Sequence, residues 1–236
     1  MNDELNRIID NTDVDYKNWQ GMILPLILFG VALYFWESAI VLPIKYLTVF
    51  FHELSHGLSA VLTGGEIVRI EVNANQSGVC WTRGGIRFVV LSAGYLGSLI
   101  WGAAILIAAA KTRFDKEITA GLGILLLGVT AIWVRNLEGI LICGLTGAAM
   151  LAFAKYATEF ACDQFLRFIG LTSCFYVLID IKGDLIDHSI RGSDAFKLAE
   201  MLLMPDWLIG GAWLLIAVFI TWKVLEFCFT DFKTNN

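Results

Sequence analysis

The chain has 236 residues, of which 57% are hydrophobic and 17% are charged, and its net charge at pH 7 is −5. An ordinary soluble domain has about 25% charged residues, so this composition excludes that class and favours a chain that is largely surrounded by lipid. The negative charge without a basic block excludes a nucleic-acid partner, and five scattered cysteines without a CxxC pair exclude a disulfide framework and a cysteine zinc site.

Seven apolar runs predict an all-α polytopic membrane protein with six or seven membrane helices. A helix needs about 20 apolar residues to cross the hydrocarbon core, and most of the runs reach that length. Residues 1–18 form a polar N-terminal segment without a signal-peptide pattern, 19–229 form one membrane-embedded domain, and 230–236 form a polar tail. The apolar runs are 20–36, 39–62, 88–110, 118–134, 137–154, 160–181 and 207–228.

The second apolar run contains the motif HExxH at residues 52–56. Residues four apart lie on one face of a helix, so His52 and His56 can bind one zinc ion. Glu53 is then the candidate general base, which takes a proton from water and passes it to the leaving amine. Two alternatives stay open: the histidines are hydrogen-bond partners or part of a proton path between helices, or the metal site has no hydrolytic activity.

A catalytic zinc site needs a third protein ligand, and the residues alone do not select one. Asp180 and Asp184 share a helical face if the sixth helix extends that far. Asp194 follows Ser193 at a predicted helix start, where a serine–aspartate pair is also an ordinary cap. The candidates near the membrane are Asp180, Asp184, Asp187, Asp194 and the remaining histidine, His188.

Residues 66–82 predict a small β-hairpin after the HExxH helix. Val68, Ile70 and Val72 recur with a period of two, NANQSG follows as a turn, and 79–82 form a second strand. The exposed edge of such a hairpin could hold an extended substrate segment by strand pairing.

Three further features bear on helix packing and on the loops. Gly94, Ser98 and Gly102 lie four residues apart and predict close packing of the third helix against another helix. Arg135 and Asn136 interrupt the apolar sequence, and they line the site, contact substrate or form a tight interhelical turn. The polar segment after the sixth run predicts a short helix that begins at Ser193 or Asp194 and ends before residue 205.

The chain resembles the site-2-protease class of intramembrane zinc metallopeptidases, in its compact bacterial peptidase M50B-like branch. The resemblance lies in FHELSHGLSAVLTGG, SGVCWTRGG, SAGYLGS, RNLEG and GSDAFKLAEM, in this order between residues 51 and 201. It implies zinc bound by His52, His56 and a later aspartate, with Glu53 as the catalytic base. The SDA match makes Asp194 the preferred aspartate. Asp180 and Asp184 remain in reserve because the Asn-Pro…Asp-Gly motif of better-studied site-2 proteases is absent here.

The resemblance implies hydrolysis of peptide bonds in membrane-embedded protein segments, in a multi-pass protein of the bacterial cell membrane. The alternative is a non-hydrolytic membrane protein on the same scaffold: a chaperone, a metal-dependent binding partner or a transporter component. The intact Glu53 favours the enzyme, because a degenerate scaffold has no need of the base.

Overall fold

The structure is a computed structural model that describes residues 21–39, 41–186 and 193–229, with the backbone alone at 182–186. Within these ranges the chain forms eight α-helices and one two-stranded hairpin. The predicted polar segments 1–18 and 230–236 lie outside the described residues. In chain order the elements are α1 (Gly21–Tyr34), α2 (Leu42–Leu62), β1 (Glu66–Val72), β2 (Gly78–Arg83), α3 (Arg87–Lys111), α4 (Asp115–Trp133), α5 (Leu137–Tyr156), α6 (Glu159–Ile186), α7 (Asp194–Leu202) and α8 (Asp206–Phe229).

Every predicted apolar run forms a helix in the described part of the chain, which confirms the all-α polytopic class. Five helices there (α3, α4, α5, α6 and α8) are long and apolar enough to cross a membrane. Helix α1 has only 14 residues, fewer than the roughly 20 that a perpendicular span needs. Helix α2 has 21 residues but carries polar side chains through its middle. The sixth and seventh spans therefore stay a prediction.

Helix α3 packs closely against both α2 and α6. Its Trp101 ring stacks on Phe51 of α2, with centroids 5.3 Å apart. Ser173 Oγ of α6 donates a hydrogen bond of 3.0 Å to the Ser98 carbonyl of α3. A Cβ at Gly102 would lie 2.8 Å from a backbone nitrogen of α6. The small residues of α3 thus allow the close helix packing that their spacing predicts.

The predicted hairpin is present, with β1 and β2 antiparallel and joined by the turn at 73–77. The linker between α4 and α5 contacts β1 along the edge that faces away from β2. Arg135 N donates to Ile70 O at 3.2 Å, and Val134 forms an isolated parallel bridge with Ile70. Within the described residues β2 pairs with β1 alone, so β2 presents the open edge of the hairpin.

Helix α7 begins where the sequence predicts a short helix. Ser193 is its N-cap, and the Ser193 hydroxyl accepts a 3.2 Å hydrogen bond from Phe196 N. Such a cap satisfies one of the backbone N–H groups that a helix start leaves unpaired. Asp194 is therefore the first residue of the helix, and the cap fixes its position at the N-terminal end of α7.

Candidate metal centre

The two histidines of the motif lie one turn apart on α2, facing the bundle interior. Their ring centroids are 4.9 Å apart. Phe50, Phe51 and Leu54 of the same helix are buried in the core, so the helix is fixed by packing on both sides of the motif. The 3.6-residue period of the helix accounts for the shared face of His52 and His56.

Asp194 of α7 lies directly against both imidazoles. Its Oδ2 is 3.0 Å from His52 Nε2 and 2.8 Å from His56 Nε2. The aspartate and His52 are 142 residues apart in the chain, so only the tertiary fold brings them together. The side chains of Asp194 and His56 are about nine-tenths buried.

The Nδ1 atoms of the two histidines have different surroundings. His56 Nδ1 donates a 2.6 Å hydrogen bond to the Val90 carbonyl of α3. A carbonyl oxygen can only accept, so Nδ1 carries a proton, and Nε2 is the ring nitrogen that faces Asp194. His52 Nδ1 lies 4.0 Å from Asp180 Oδ2, and the edge of the Tyr95 ring meets the His52 ring at 90°, with centroids 5.2 Å apart.

Gly94 of α3 forms a wall of the site. A Cβ at this position would lie 2.4 Å from His52 Nε2 and 2.6 Å from His56 Nε2. Real Cβ contacts are essentially never that short, so only glycine lets α3 approach the two Nε2 atoms with the rings as they stand. The role of this glycine goes beyond the helix packing that its spacing predicts.

The donor set fits a zinc ion. The two imidazole nitrogens and one carboxylate oxygen lie within 4.8 Å of one another, and histidine and carboxylate ligands are typical of catalytic zinc sites.

The two histidines favour the ionised form of Asp194, which is the form in which a carboxylate binds a metal ion. Burial by itself raises the pKa of a carboxyl group, but His56 and His52 outweigh burial and hold the pKa of Asp194 below its usual range. The cluster can therefore offer a carboxylate together with two imidazole nitrogens.

Glu53 lies beside the histidines but points to the hairpin. A Cβ at Gly78 of β2 would lie 2.6 Å from Glu53 Oε1, and the backbone N–H of Cys80 donates to the Glu53 carboxylate. Burial, together with the charge of Glu53, raises the pKa of the Cys80 thiol to about 12, so that thiol is neutral at pH 7. The carboxylate is thus held between α2 and the open strand β2.

One cavity of about 610 Å³ is lined by His52, Glu53, His56 and Asp194. Strand β2 forms one wall, and Asp180, Tyr176 and Lys197 line other parts of it. The cavity is large enough for an extended peptide segment as well as for water.

The structure brings together four of the residues that the sequence singles out: His52, Glu53, His56 and Asp194. Asp180 lines the same cavity but lies on the opposite ring nitrogen of His52. The side chain of Asp184 and all of residues 187–192, which include Asp187 and His188, lie outside the described residues.

Two groups at the site were missed by the sequence reasoning. The Val90 carbonyl has no sequence signal at all, because any residue supplies a carbonyl. Gly78 had only its place as the last residue of the predicted turn NANQSG. Arg135 and Asn136, which the sequence places either at the site or in a turn, contact the hairpin instead of the cavity.

The family model described as Peptidase M50B-like matches residues 26–224. That range contains every residue of the cluster and all the helices from α2 to α7. No curated protein and no solved structure matches the chain.

Proposed function

The chain belongs to the peptidase M50B-like family, and from this membership we propose that it is an intramembrane zinc metalloendopeptidase. Its proposed reaction is the hydrolysis of peptide bonds in membrane-embedded protein segments, and its proposed location is the bacterial cell membrane. One observation carries the proposal: His52, His56 and Asp194 converge within 4.8 Å, beside Glu53, in a cavity between apolar helices.

We assign the two histidines and Asp194 as ligands of the zinc ion. Zinc, when bound, polarises a carbonyl group and makes a water molecule more acidic. The hydrogen bond from His56 Nδ1 to the Val90 carbonyl fixes the ring so that Nε2 is presented to the ion. Asp180 lies near the Nδ1 atom of His52, where a carboxylate orients a ligand instead of serving as one.

Glu53 is the proposed general base and then the general acid. Its carboxylate takes one proton from the attacking water, whose oxygen bonds to the carbonyl carbon of the substrate. The same proton passes to the amide nitrogen as the carbon–nitrogen bond breaks, so one water is consumed for each bond cleaved. The Cys80 N–H holds the carboxylate at the end of the cavity that faces β2.

The substrate segment is proposed to pair with the open edge of β2. Val72 of β1 directs its backbone N–H and C=O away from the hairpin, toward Asn136. Residues opposite each other in an antiparallel pair share their bonding direction, so its partner Gly78 also directs its backbone groups outward, here into the cavity. A peptide added there by strand pairing would lie next to Glu53.

The test compares metal content and cleavage of single-span membrane peptides by the protein purified in detergent. Glu53→Gln should keep its zinc and lose at least about 100-fold in cleavage rate, since general acid–base catalysis contributes roughly 10²–10⁴-fold. Asp194→Ala should lose zinc, whereas Asp180→Ala should keep it.

Equal cleavage by wild type and Glu53→Gln would overturn the mechanism. A wild-type protein that holds zinc and cleaves none of the peptides would instead favour the non-hydrolytic alternative. Zinc loss in Asp180→Ala but not in Asp194→Ala would overturn the ligand assignment.

A further inference from the structure

Asn136 stands at the start of α5 but does not cap that helix. Its backbone is extended at the N-cap position, yet the side chain makes no capping hydrogen bond. Instead, Nδ2 donates to the Val72 carbonyl at 2.7 Å, and Oδ1 accepts from the Val72 N–H at 3.2 Å. One carboxamide thus satisfies both backbone groups of a β1 residue, as a neighbouring strand would.

The residues around Asn136 support the same contact. Asn136 Nδ2 also donates to Asn73 Oδ1 at 3.1 Å, and Glu138 Oε2 accepts a 2.7 Å hydrogen bond from Ala74 N. A Cβ at Gly139 would lie 2.5 Å from Asn136 Oδ1, so glycine leaves the carboxamide room. The segment RNLEG is therefore hydrogen-bonded to the turn end of the hairpin.

The turn end of the hairpin, which RNLEG contacts, includes the residue that packs against Glu53. Val72 is paired with Gly78, and Gly78 is the residue whose Cα packs against the Glu53 carboxylate. Two residues further along β2, the Cys80 N–H donates to the same carboxylate. A shift of Val72 is therefore passed through one strand pair to the group that faces Glu53.

We propose that Asn136 is a positioning residue, which seats the hairpin so that β2 and Glu53 keep their mutual placement. Asn136 lines no part of the cavity and acts through Val72 and Gly78. The inference rests on the proposed function, because the reaction that it positions is the proposed hydrolysis.

The most specific test removes the hydrogen-bond donor of Asn136 while keeping the shape of its side chain. In Asn136→Asp the Nδ2 donor is lost and a carboxylate oxygen faces the Val72 carbonyl, but aspartate caps a helix as well as asparagine does. The matched control is Asn75→Asp in the hairpin turn, where Oδ1 only accepts, from Ser77 N at 3.1 Å and from Ser77 Oγ at 2.7 Å. Asn136→Ser is a second variant, which caps well, is too short to reach β1 and adds no charge.

The readouts are hydrogen exchange, zinc content and steady-state kinetics. We expect both Asn136 variants to speed amide exchange across 72–80 by about tenfold, because a buried carbonyl loses its donor. The kcat should fall about 10–100-fold, as for other residues that orient a catalytic group, while zinc content stays that of wild type. Asn75→Asp should match wild type within about twofold in all three measurements.

Exchange and kcat at the level of the Asn75→Asp control would overturn the inference, since the hydrogen bonds of Asn136 to Val72 would then not be needed to place the hairpin. Loss of zinc in the Asn136 variants would also overturn it, because the damage would reach beyond the hairpin. Faster exchange in a protein whose wild type cleaves nothing would refute the proposed function and leave the seating of the hairpin by Asn136 supported.

Discussion

His56 shows how a polar residue is kept inside an apolar helix, since both of its ring nitrogens have partners. Nδ1 donates to the Val90 carbonyl and Nε2 contacts Asp194. An unpaired buried polar group costs about 1–3 kcal/mol, and an unpaired buried charge costs more. The other two ionisable residues of the motif also have partners, which are Asp194 for His52 and the Cys80 N–H for Glu53.

The sequence predicted these residues unequally well. The HExxH spacing alone places His52, Glu53 and His56 on one stretch of helix, because helical periodicity is local. The contact with Asp194 spans 142 residues, so no local pattern contains it, and the family resemblance was needed to prefer it. The part played by Gly94 was hidden, since glycine is frequent in membrane helices for several reasons.

Gly94→Ala should weaken zinc binding by about 10–100-fold, the range typical of changes to groups that orient metal ligands. The added Cβ would lie 2.4 Å from His52 Nε2, so α3 and the imidazoles must separate. Zinc affinity, measured by competition with a chelator, checks this.

The matched control is Gly128→Ala in α4, where a Cβ meets nothing within 4 Å. Both changes raise helix propensity by up to about 1 kcal/mol, so a loss confined to Gly94→Ala reports the contact with the histidines. Equal zinc affinity in the two variants would contradict the role of Gly94.

On the proposed function, the hairpin is the element that holds the substrate, whereas the helices hold the metal. Its alternating residues predicted two strands, and both are present. Which strand is open could not be predicted, because β1 is covered by Asn136, a residue 64 positions away that acts through its side chain. Strand β1, whose alternation first suggested an edge for substrate, is therefore the covered strand.

A photo-crosslinking residue should capture substrate when it replaces Val79 of β2 but not when it replaces Val68 of β1. The two valines are similarly exposed, at 41% and 45%, and only Val79 lines the cavity. The Glu53→Gln background prevents cleavage, and adduct yield on a gel is the measurement. A yield at Val68 equal to that at Val79 would place the substrate elsewhere.

At the scale of the whole molecule, the cluster joins distant parts of the bundle. The histidines belong to α2, whereas Asp194 opens α7, and α7 packs on α3 and α8. A bound ion would therefore link α2, in the N-terminal half of the chain, to α7, in the C-terminal half. The apolar runs predicted the helices, because burial in lipid demands long apolar segments. Their arrangement depends on contacts such as that of Ser173 with Ser98, which no periodicity reveals.

Removal of zinc by a chelator should lower the thermal unfolding midpoint of the wild-type protein. An ion at 100 times its Kd stabilises the folded state by about 2.7 kcal/mol, which corresponds to roughly 5–10 °C for a chain of this size. Addition of zinc should restore the midpoint. Asp194→Ala should show no response to the chelator, and an equal drop in both proteins would contradict the bridge between α2 and α7.

The separation of 142 positions between His52 and Asp194 also sets an order of events during synthesis. Ribosomes add about 5–20 residues per second, so the aspartate follows the histidines by roughly 7–28 s. Throughout that interval the nascent chain holds the proposed base and two of the proposed ligands but not the third. On the proposed mechanism, a growing chain cannot cut its neighbours in the translocation machinery, and proteolytic competence arrives only when α7 has been made.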